Sequence, residues 1–309
     1  MTAPGSDFPA TPIPFAKMHG SGNDFVVIDH RAPFILPTQE AAFVRAICQR
    51  RTGIGADGVV FIELVDPDAP FAQQADFRWR YINADGSEGE MCGNGAMCGA
   101  RFAVLHGIAS ATCAFQTIAG LVRAEVGVAE DPFGLCVTLV MVDSGPYVWP
   151  RRVATSIGDV SIASVAVGVP HAVIVTDDAD AWPSLGTFDA VGRELRLHSA
   201  FAPAGTNVNV ISPLGPNRIR MRTYERGVEA ETLACGTGAV ASAIVASRLG
   251  LVDGSGNIEV LASGGWPLAV SFAWDDRTQS ATRIALTGRA VVVARGDLEP
   301  AAMVYARRA

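Results

Sequence analysis

Two cysteines, Cys92 and Cys235, open near-identical segments: Cys92-Gly93-Asn94-Gly95-Ala96 and Cys235-Gly236-Thr237-Gly238-Ala239. Each segment ends fifteen residues later on a glycine, Gly107 and Gly250. Both run into apolar stretches that predict helices, so each thiol sits where a helix begins. A free thiol ionises near about 8.5 and is a weak base at neutrality. The unpaired N–H groups and dipole of a helix N-terminus favour its anion. Small residues after the cysteine leave the backbone open, and the same N–H groups can receive a carboxylate. Two such thiols suit inversion at an acidic carbon: one thiolate removes a proton from one face while the other thiol delivers one to the opposite face. Acid–base help is worth roughly 10²–10⁴ per group. That is too little for an amino-acid α-proton, so the helix ends must also stabilise the developing enolate with water excluded.

The elements that position these thiols also recur. Arg80-Tyr81-Ile82-Asn83 precedes the first cysteine as Arg222-Thr223-Tyr224-Glu225-Arg226-Gly227 precedes the second, each a strand running into a turn. Glu88 and Glu231 stand four residues before their cysteines. Earlier, Gly53 to Gly58 leads into Val59–Leu64, and Ala204-Gly205-Thr206-Asn207 leads into Val208–Ile211. Gly20-Ser21-Gly22-Asn23-Asp24 leads into Phe25–Ile28, and Gly168-Val169-Pro170-His171 leads into Ala172–Val175. Recurrence in one order is the mark of internal duplication. The predicted class is α/β (α+β): two homologous lobes related by a pseudo-two-fold, each a strand-wrapped central helix, with the site in the cleft between them. Further strands are expected at Leu121–Val128, Leu135–Val142, Ile258–Leu261, Leu268–Phe272 and Arg289–Val293. Two further helices are expected, Gln39–Arg50 capped by Thr38 and Asp189–Leu197. Residues 1–14 read as a flexible extension, 15–143 as the first lobe and 144–288 as the second, joined near Asp143-Ser144-Gly145-Pro146.

Composition narrows the function classes. The chain of 309 residues is 49% hydrophobic and 18% charged, with a net charge of −7. It can bury large cores, and no basic cluster tracks a phosphate backbone, so nucleic acid is not an expected partner. No signal peptide or membrane span is expected, and a cytoplasmic location with reduced thiols follows. The six cysteines show no metal-ligand spacing, so no metal is expected. Cys48, Cys98, Cys113 and Cys136 read as packing residues.

The residues resemble the diaminopimelate epimerase family over almost the whole chain, from Phe15 to about Leu298. The matching segments are Phe15-Ala16-Lys17-Met18-His19-Gly20-Ser21-Gly22-Asn23-Asp24-Phe25, Asn83-Ala84-Asp85-Gly86-Ser87, Met91 to Ala96, Gly205-Thr206-Asn207, Glu225-Arg226-Gly227 and Glu231 to Gly238. The resemblance implies interconversion of LL- and meso-diaminopimelate in lysine and peptidoglycan precursor synthesis, without a cofactor. It makes Cys92 and Cys235 the acid–base pair, with His171 and Glu225 supporting proton transfer. Asn23, Asn83, Asn207 and Arg226 would hold the substrate, and the backbone of Gly93, Asn94, Gly236 and Thr237 would hold the carboxylate at the reacting centre. It also implies that residues 289–309 return to the first lobe. A homodimer is left open.

The chain departs from the family pattern at a few positions. Val169 stands where Asn commonly precedes Pro-His, Gly58 where some members have Gln, and Met97 where Arg is frequent. The loop leading to Cys235 is one residue longer than its counterpart (235−225 against 92−83). The alternative on the same fold is a racemase of another amino acid, such as histidine or a proline analogue. A different class is a non-catalytic amino-acid-binding or redox-sensing dithiol protein.

Overall fold

The computed structural model describes residues 11–127, 136–254 and 256–301. Its α+β fold divides into two compact units: the described residues up to Leu139 together with those from Arg289 on, and Val140–Gly288.

Unit 1 contains, in chain order, β1 (Ile13–Gly20), β2 (Asn23–Asp29), α1 (Pro37–Cys48), β3 (Gly58–Glu63), β4 (Phe77–Asn83), β5 (Glu88–Gly89), α2 (Gly93–Leu105), β6 (Thr112–Thr117), β7 (Gly120–Val126) and most of β8 (Cys136–Val140). Unit 2 contains β9 (Val148–Thr155), β10 (Gly158–Val167), β11 (Val169–Val175), α3 (Phe188–Arg196), β12 (Asn207–Gly215), β13 (Arg218–Glu225), β14 (Ala230–Thr232), α4 (Gly236–Arg248), β15 (Ile258–Leu261), β16 (Pro267–Asp275) and the first part of β17 (Ser280–Leu298). The last part of β17 pairs with β1 inside unit 1, Ile13 opposite Leu298.

The pairings within the two units match. β1–β2 and β3–β4 are antiparallel, while β2–β3 and β4–β6 are parallel. In unit 2, β10–β11 and β12–β13 are antiparallel, while β11–β12 and β13–β15 are parallel. A parallel pair needs a crossover. Helices α1 and α2 supply it in unit 1, and α3 and α4 in unit 2.

The central strands of each unit, β2 and β3 in the first and β11 and β12 in the second, are buried on both faces, which explains their continuous apolar runs. Val26, Ile28, Val59, Phe61 and Ile82 pack with Phe43, Val44 and Ile47 of α1. By strand alternation Phe25, Tyr81 and Asn83 face the other way, toward α2. In unit 2, Ala172, Ile174, Val208, Val210 and Tyr224 pack with Val191 and Leu195 of α3. The same alternation turns His171, Asn207, Asn209, Thr223 and Glu225 toward α4.

Some boundaries differ from the expectation. α1 opens on Pro37 with Leu36 at its N-cap and no side-chain cap bond, so Thr38 lies inside the helix. Pro pre-sets the helical φ and lacks an N–H that would be orphaned there, which makes it the better start signal. α3 is capped by Thr187, whose hydroxyl accepts from the Ala190 N–H. β1 begins at Ile13, inside the stretch read as an extension; residues 1–10 of that stretch lie outside the described residues. So do Val128, Leu135 and residues 302–309. The segment read as a linker is stitched into unit 2: Ser144 exchanges hydrogen bonds with Ala281, and the Gly145 N–H donates to Ala166. No helix among the described residues is long and apolar enough to cross a membrane.

Candidate active site

Cys92 and Cys235 occupy the N-cap positions of α2 and α4. Their backbones nearly coincide, φ −141° and ψ 112° against φ −131° and ψ 113°. Each carbonyl accepts the first helical bond, from Ala96 at 2.8 Å and from Ala239 at 2.9 Å. Neither side chain caps its own helix. The first-turn N–H groups of Gly93, Asn94, Gly236 and Thr237 therefore have no partner within the helix. Both helices also end alike. Gly107 (φ 66°) and Gly250 (φ 69°) adopt the left-handed conformation. The following residues, Ile108 and Leu251, donate back to Ala103 and Ala246 at 2.8 and 2.9 Å, closing a Schellman motif. The fifteen-residue spacing thus measures one capped helix, with the thiol at its start.

Burial suppresses three of the four other cysteines as bases, although Cys235 is itself as buried as Cys48. Burial pushes the Cys48 thiol up to about 12 and the Cys113 thiol up to about 11, and it raises that of the fully buried Cys98. Such thiols are inert as bases at neutral pH. Cys136 is half-buried.

In unit 1 the approach to α2 is organised by side-chain amides and carboxylates. The Asn94 amide donates to the Asn23 side-chain oxygen at 2.6 Å, and Asn23 donates to Asp57 at 3.2 Å. Asp57 also accepts from the Asp24 N–H, while its own N–H donates to the Asp24 carboxylate. Lys17 pairs with Asp24 at 2.5 Å and donates to the Gly55 carbonyl. Gly20 makes room for this approach, because a Cβ there would lie 2.8 Å from the Asn94 carbonyl oxygen. Trp79 braces the first helical turn from behind, its ring N–H donating to the Gly95 carbonyl. Asn83 is turned to its own loop and donates to Ser87.

In unit 2, the Asn207 side-chain oxygen accepts from the Arg226 N–H at 2.8 Å. The Arg226 guanidinium donates to the Ala204 carbonyl and has no carboxylate partner among the described residues. Thr237 lies 3.5 Å from the Cys235 sulfur. His171 is 1% exposed. Burial, reinforced by the Arg226 charge, pushes its pKa down to about 3, so the ring is neutral at physiological pH. Burial raises the half-buried Glu225 carboxyl above its ordinary range, although the Thr232 hydroxyl opposes the shift.

That raised carboxyl has a consequence for stability. A carboxyl whose folded value exceeds its unfolded one adds stability below its ordinary value, and that stability is lost as pH rises through the folded value. At pH 8 the wild type therefore bears a cost that Glu225→Gln removes. The variant is expected to show a higher urea midpoint at pH 8, with the gain vanishing below about pH 4. A lower midpoint at pH 8 would show that the ionised carboxylate is well satisfied.

Two contributors escaped the sequence reading. Asp57 lies in the glycine-rich segment Gly53 to Gly58, where nothing local marks it, and it ties Asn23 to Asp24. Asn209 sits in the run Val208-Asn209-Val210-Ile211 and is fully buried. A lone amide in an apolar strand must find partners, and that was the available signal. Among the described residues one grouping has the spacing of a metal site, His30, Glu40 and Glu63. It already holds the Arg80 guanidinium.

The model of the family described as diaminopimelate epimerase matches residues 15–150 and 163–293. The chain is 39% identical to the diaminopimelate epimerase of Aquifex aeolicus over 94% of its own length and 99% of that protein. It is 40% identical to that of Archaeoglobus fulgidus over 82% and 87%. Among solved structures it resembles a probable proline racemase from Agrobacterium radiobacter K84 (TM-score 0.68, 18% identity, covering 94% of this chain and 95% of that one). It also resembles a phenazine biosynthesis protein of the PhzF family from Bacillus anthracis (TM-score 0.69, 14% identity, 93% and 99%). The structural likenesses establish the fold, and the sequence matches establish the lineage. The chain belongs to the diaminopimelate epimerase family.

Proposed function

We propose that this isomerase interconverts LL- and meso-diaminopimelate, using Cys92 and Cys235 as the two acid–base groups. The observation that carries the reading is the placement of both cysteines, in one backbone conformation, at the N-caps of equivalent buried helices. One sulfur, as thiolate, accepts the α-proton. The other, as thiol, donates its proton to the opposite face of the same carbon. The first-turn N–H groups of Gly93, Asn94, Gly236 and Thr237 hold the carboxylate at the reacting centre and stabilise the charge that develops on it. Asn23, Asn83 and Asn207 supply polar contacts. Arg226, with no competing carboxylate among the described residues, pairs with the distal carboxylate. His171 and Glu225 support proton transfer, the first as a neutral ring and the second as a carboxyl that protonates unusually readily.

The reaction balances with two thiols alone, and turnover is expected without added cofactor. The test is incubation of reduced, chelator-treated enzyme with LL-diaminopimelate and chiral separation of the products. Accumulation of the meso isomer supports the reading; recovery of unchanged LL substrate sinks it.

A further inference from the structure

The duplicated scaffold is broken chemically at one place. In unit 2 the Asn209 amide is fully used. Its nitrogen donates to the His171 Nδ1 at 3.1 Å and to the Ala172 carbonyl at 3.3 Å, and its oxygen accepts from the Thr223 hydroxyl at 3.0 Å. The Ala172 carbonyl can only accept, which fixes the amide nitrogen on that side. The His171 Nδ1 therefore faces an N–H donor and must be the bare, accepting nitrogen. A neutral ring with a bare Nδ1 carries its proton on Nε2. That Nε2–H is buried and meets no acceptor among the described residues.

The same amide borders the turn that carries the cysteine. The Asn209 oxygen and the Cys235 sulfur both lie within 3.2 Å of the point that a Cβ on Gly238 would occupy. A Cβ there would collide with the Asn209 oxygen and crowd the sulfur, so the position needs glycine. In unit 1 the register equivalents of His171, Asn209 and Thr223 are Phe25, Val60 and Tyr81. There the corresponding Gly95 looks onto Phe25 and Trp79 carbons. The scaffold is shared, but the buried polar triad belongs to the Cys235 side alone.

We infer that Asn209, itself held by Thr223, is a positioning residue that locks His171 as the Nε2–H tautomer and presents that N–H to an acceptor brought by the substrate. The inference rests on the epimerase reading for what the donor acts upon, but the tautomer can be read without turnover.

The experiment is nitrogen NMR of histidine-labelled enzyme, with the His171 signals assigned by their loss in His171→Gln, combined with kcat and KM for LL-diaminopimelate. Wild type is expected to show a protonated Nε2 and a bare Nδ1 at His171. Asn209→Ala is expected to lose that signature and to lower kcat at least tenfold, short of the roughly 10²–10⁴ that a whole acid–base group supplies, with KM within about twofold. Thr223→Val, which keeps the shape but removes the hydroxyl, should shift both readouts in the same direction, and Thr223→Ser should restore them. This pair carries the test if Asn209→Ala fails to fold. A protonated Nδ1 in wild type overturns the inference. So does an unchanged tautomer in Asn209→Ala, or in Thr223→Val if Asn209→Ala does not fold, whatever kcat does. A wild type that shows the tautomer and its dependence on Asn209 or Thr223 but does not epimerise diaminopimelate leaves the tautomer lock standing and refutes the proposed activity instead.

Discussion

Replacing either Cys92 or Cys235 by serine is expected to lower kcat/KM for epimerisation by roughly 10²–10⁴, the worth of one positioned acid–base group. A serine hydroxyl is far too weakly acidic to exchange its proton with an α-carbon at neutral pH. The fold is not expected to suffer. Neither cysteine caps its helix, and serine is among the best N-cap residues, able to accept from an N–H two or three positions on. The substitution should thus leave the urea midpoint unchanged or raise it slightly while activity collapses. The double variant is expected to be little worse than either single one, because one proton transfer without its counterpart completes no inversion. Single variants that retain near wild-type kcat/KM would contradict the assignment of both residues.

The second large effect is on stability. Arg80 lies at the centre of a partly buried charge cluster in unit 1. Its guanidinium grips both oxygens of Glu40 at 3.0 and 2.8 Å, reaches Glu88 at 2.8 Å and Glu63 at 3.1 Å, and Glu63 in turn meets His30 at 3.1 Å. Glu40 and His30 are almost wholly buried. Arg80→Met keeps an apolar stem but leaves these carboxylates without their cation. Breaking a buried pair in this way costs about 3–5 kcal/mol, which equilibrium urea unfolding at pH 7.5 should read. The pH dependence has a definite sign. Burial pushes the Glu63 carboxyl up, but the His30 hydrogen bond and the Arg80 charge more than reverse this and hold it below its ordinary value. A depressed carboxyl adds stability above its ordinary value, near about 4.3, and loses it as pH falls toward the folded value. The gap between wild type and variant should therefore be widest near neutrality and narrow below about pH 4.3. A gap under about 1 kcal/mol at neutral pH would show the cluster to be solvated.

Much of this architecture was legible because it is written twice. The repeated Cys-Gly-x-Gly-Ala, the glycine fifteen residues on and the strand-to-turn lead-ins marked α2, α4 and the strands before them. Ile258–Leu261 was placed to the residue because turn residues bound its apolar run on both sides. The expected strand Arg289–Val293 falls short of β17 at both ends: Ser280–Gly288 mixes polar and apolar residues, so its hairpin pairing with β16 leaves no clear alternation in the sequence. Thr38 misled because its type fits a cap, whereas the adjacent Pro37 set the start of α1. Among the site residues, periodicity placed Cys92 and Cys235 on helix starts. The part of Asn209 depends on a register across β11, β12 and β13 that no local pattern encodes. The same holds for Asp57, whose side-chain partners lie more than thirty residues away.

The most direct test of the two-thiol account is the position of the label when LL-diaminopimelate turns over in heavy water. Two separate groups predict that, at early conversion, the meso product carries deuterium at the inverted α-carbon while the remaining LL substrate is still protiated. A meso product that retains its α-protium, or substrate and product labelled alike from the start, would mean that one group both removes and returns the proton, contradicting the pairing of Cys92 with Cys235.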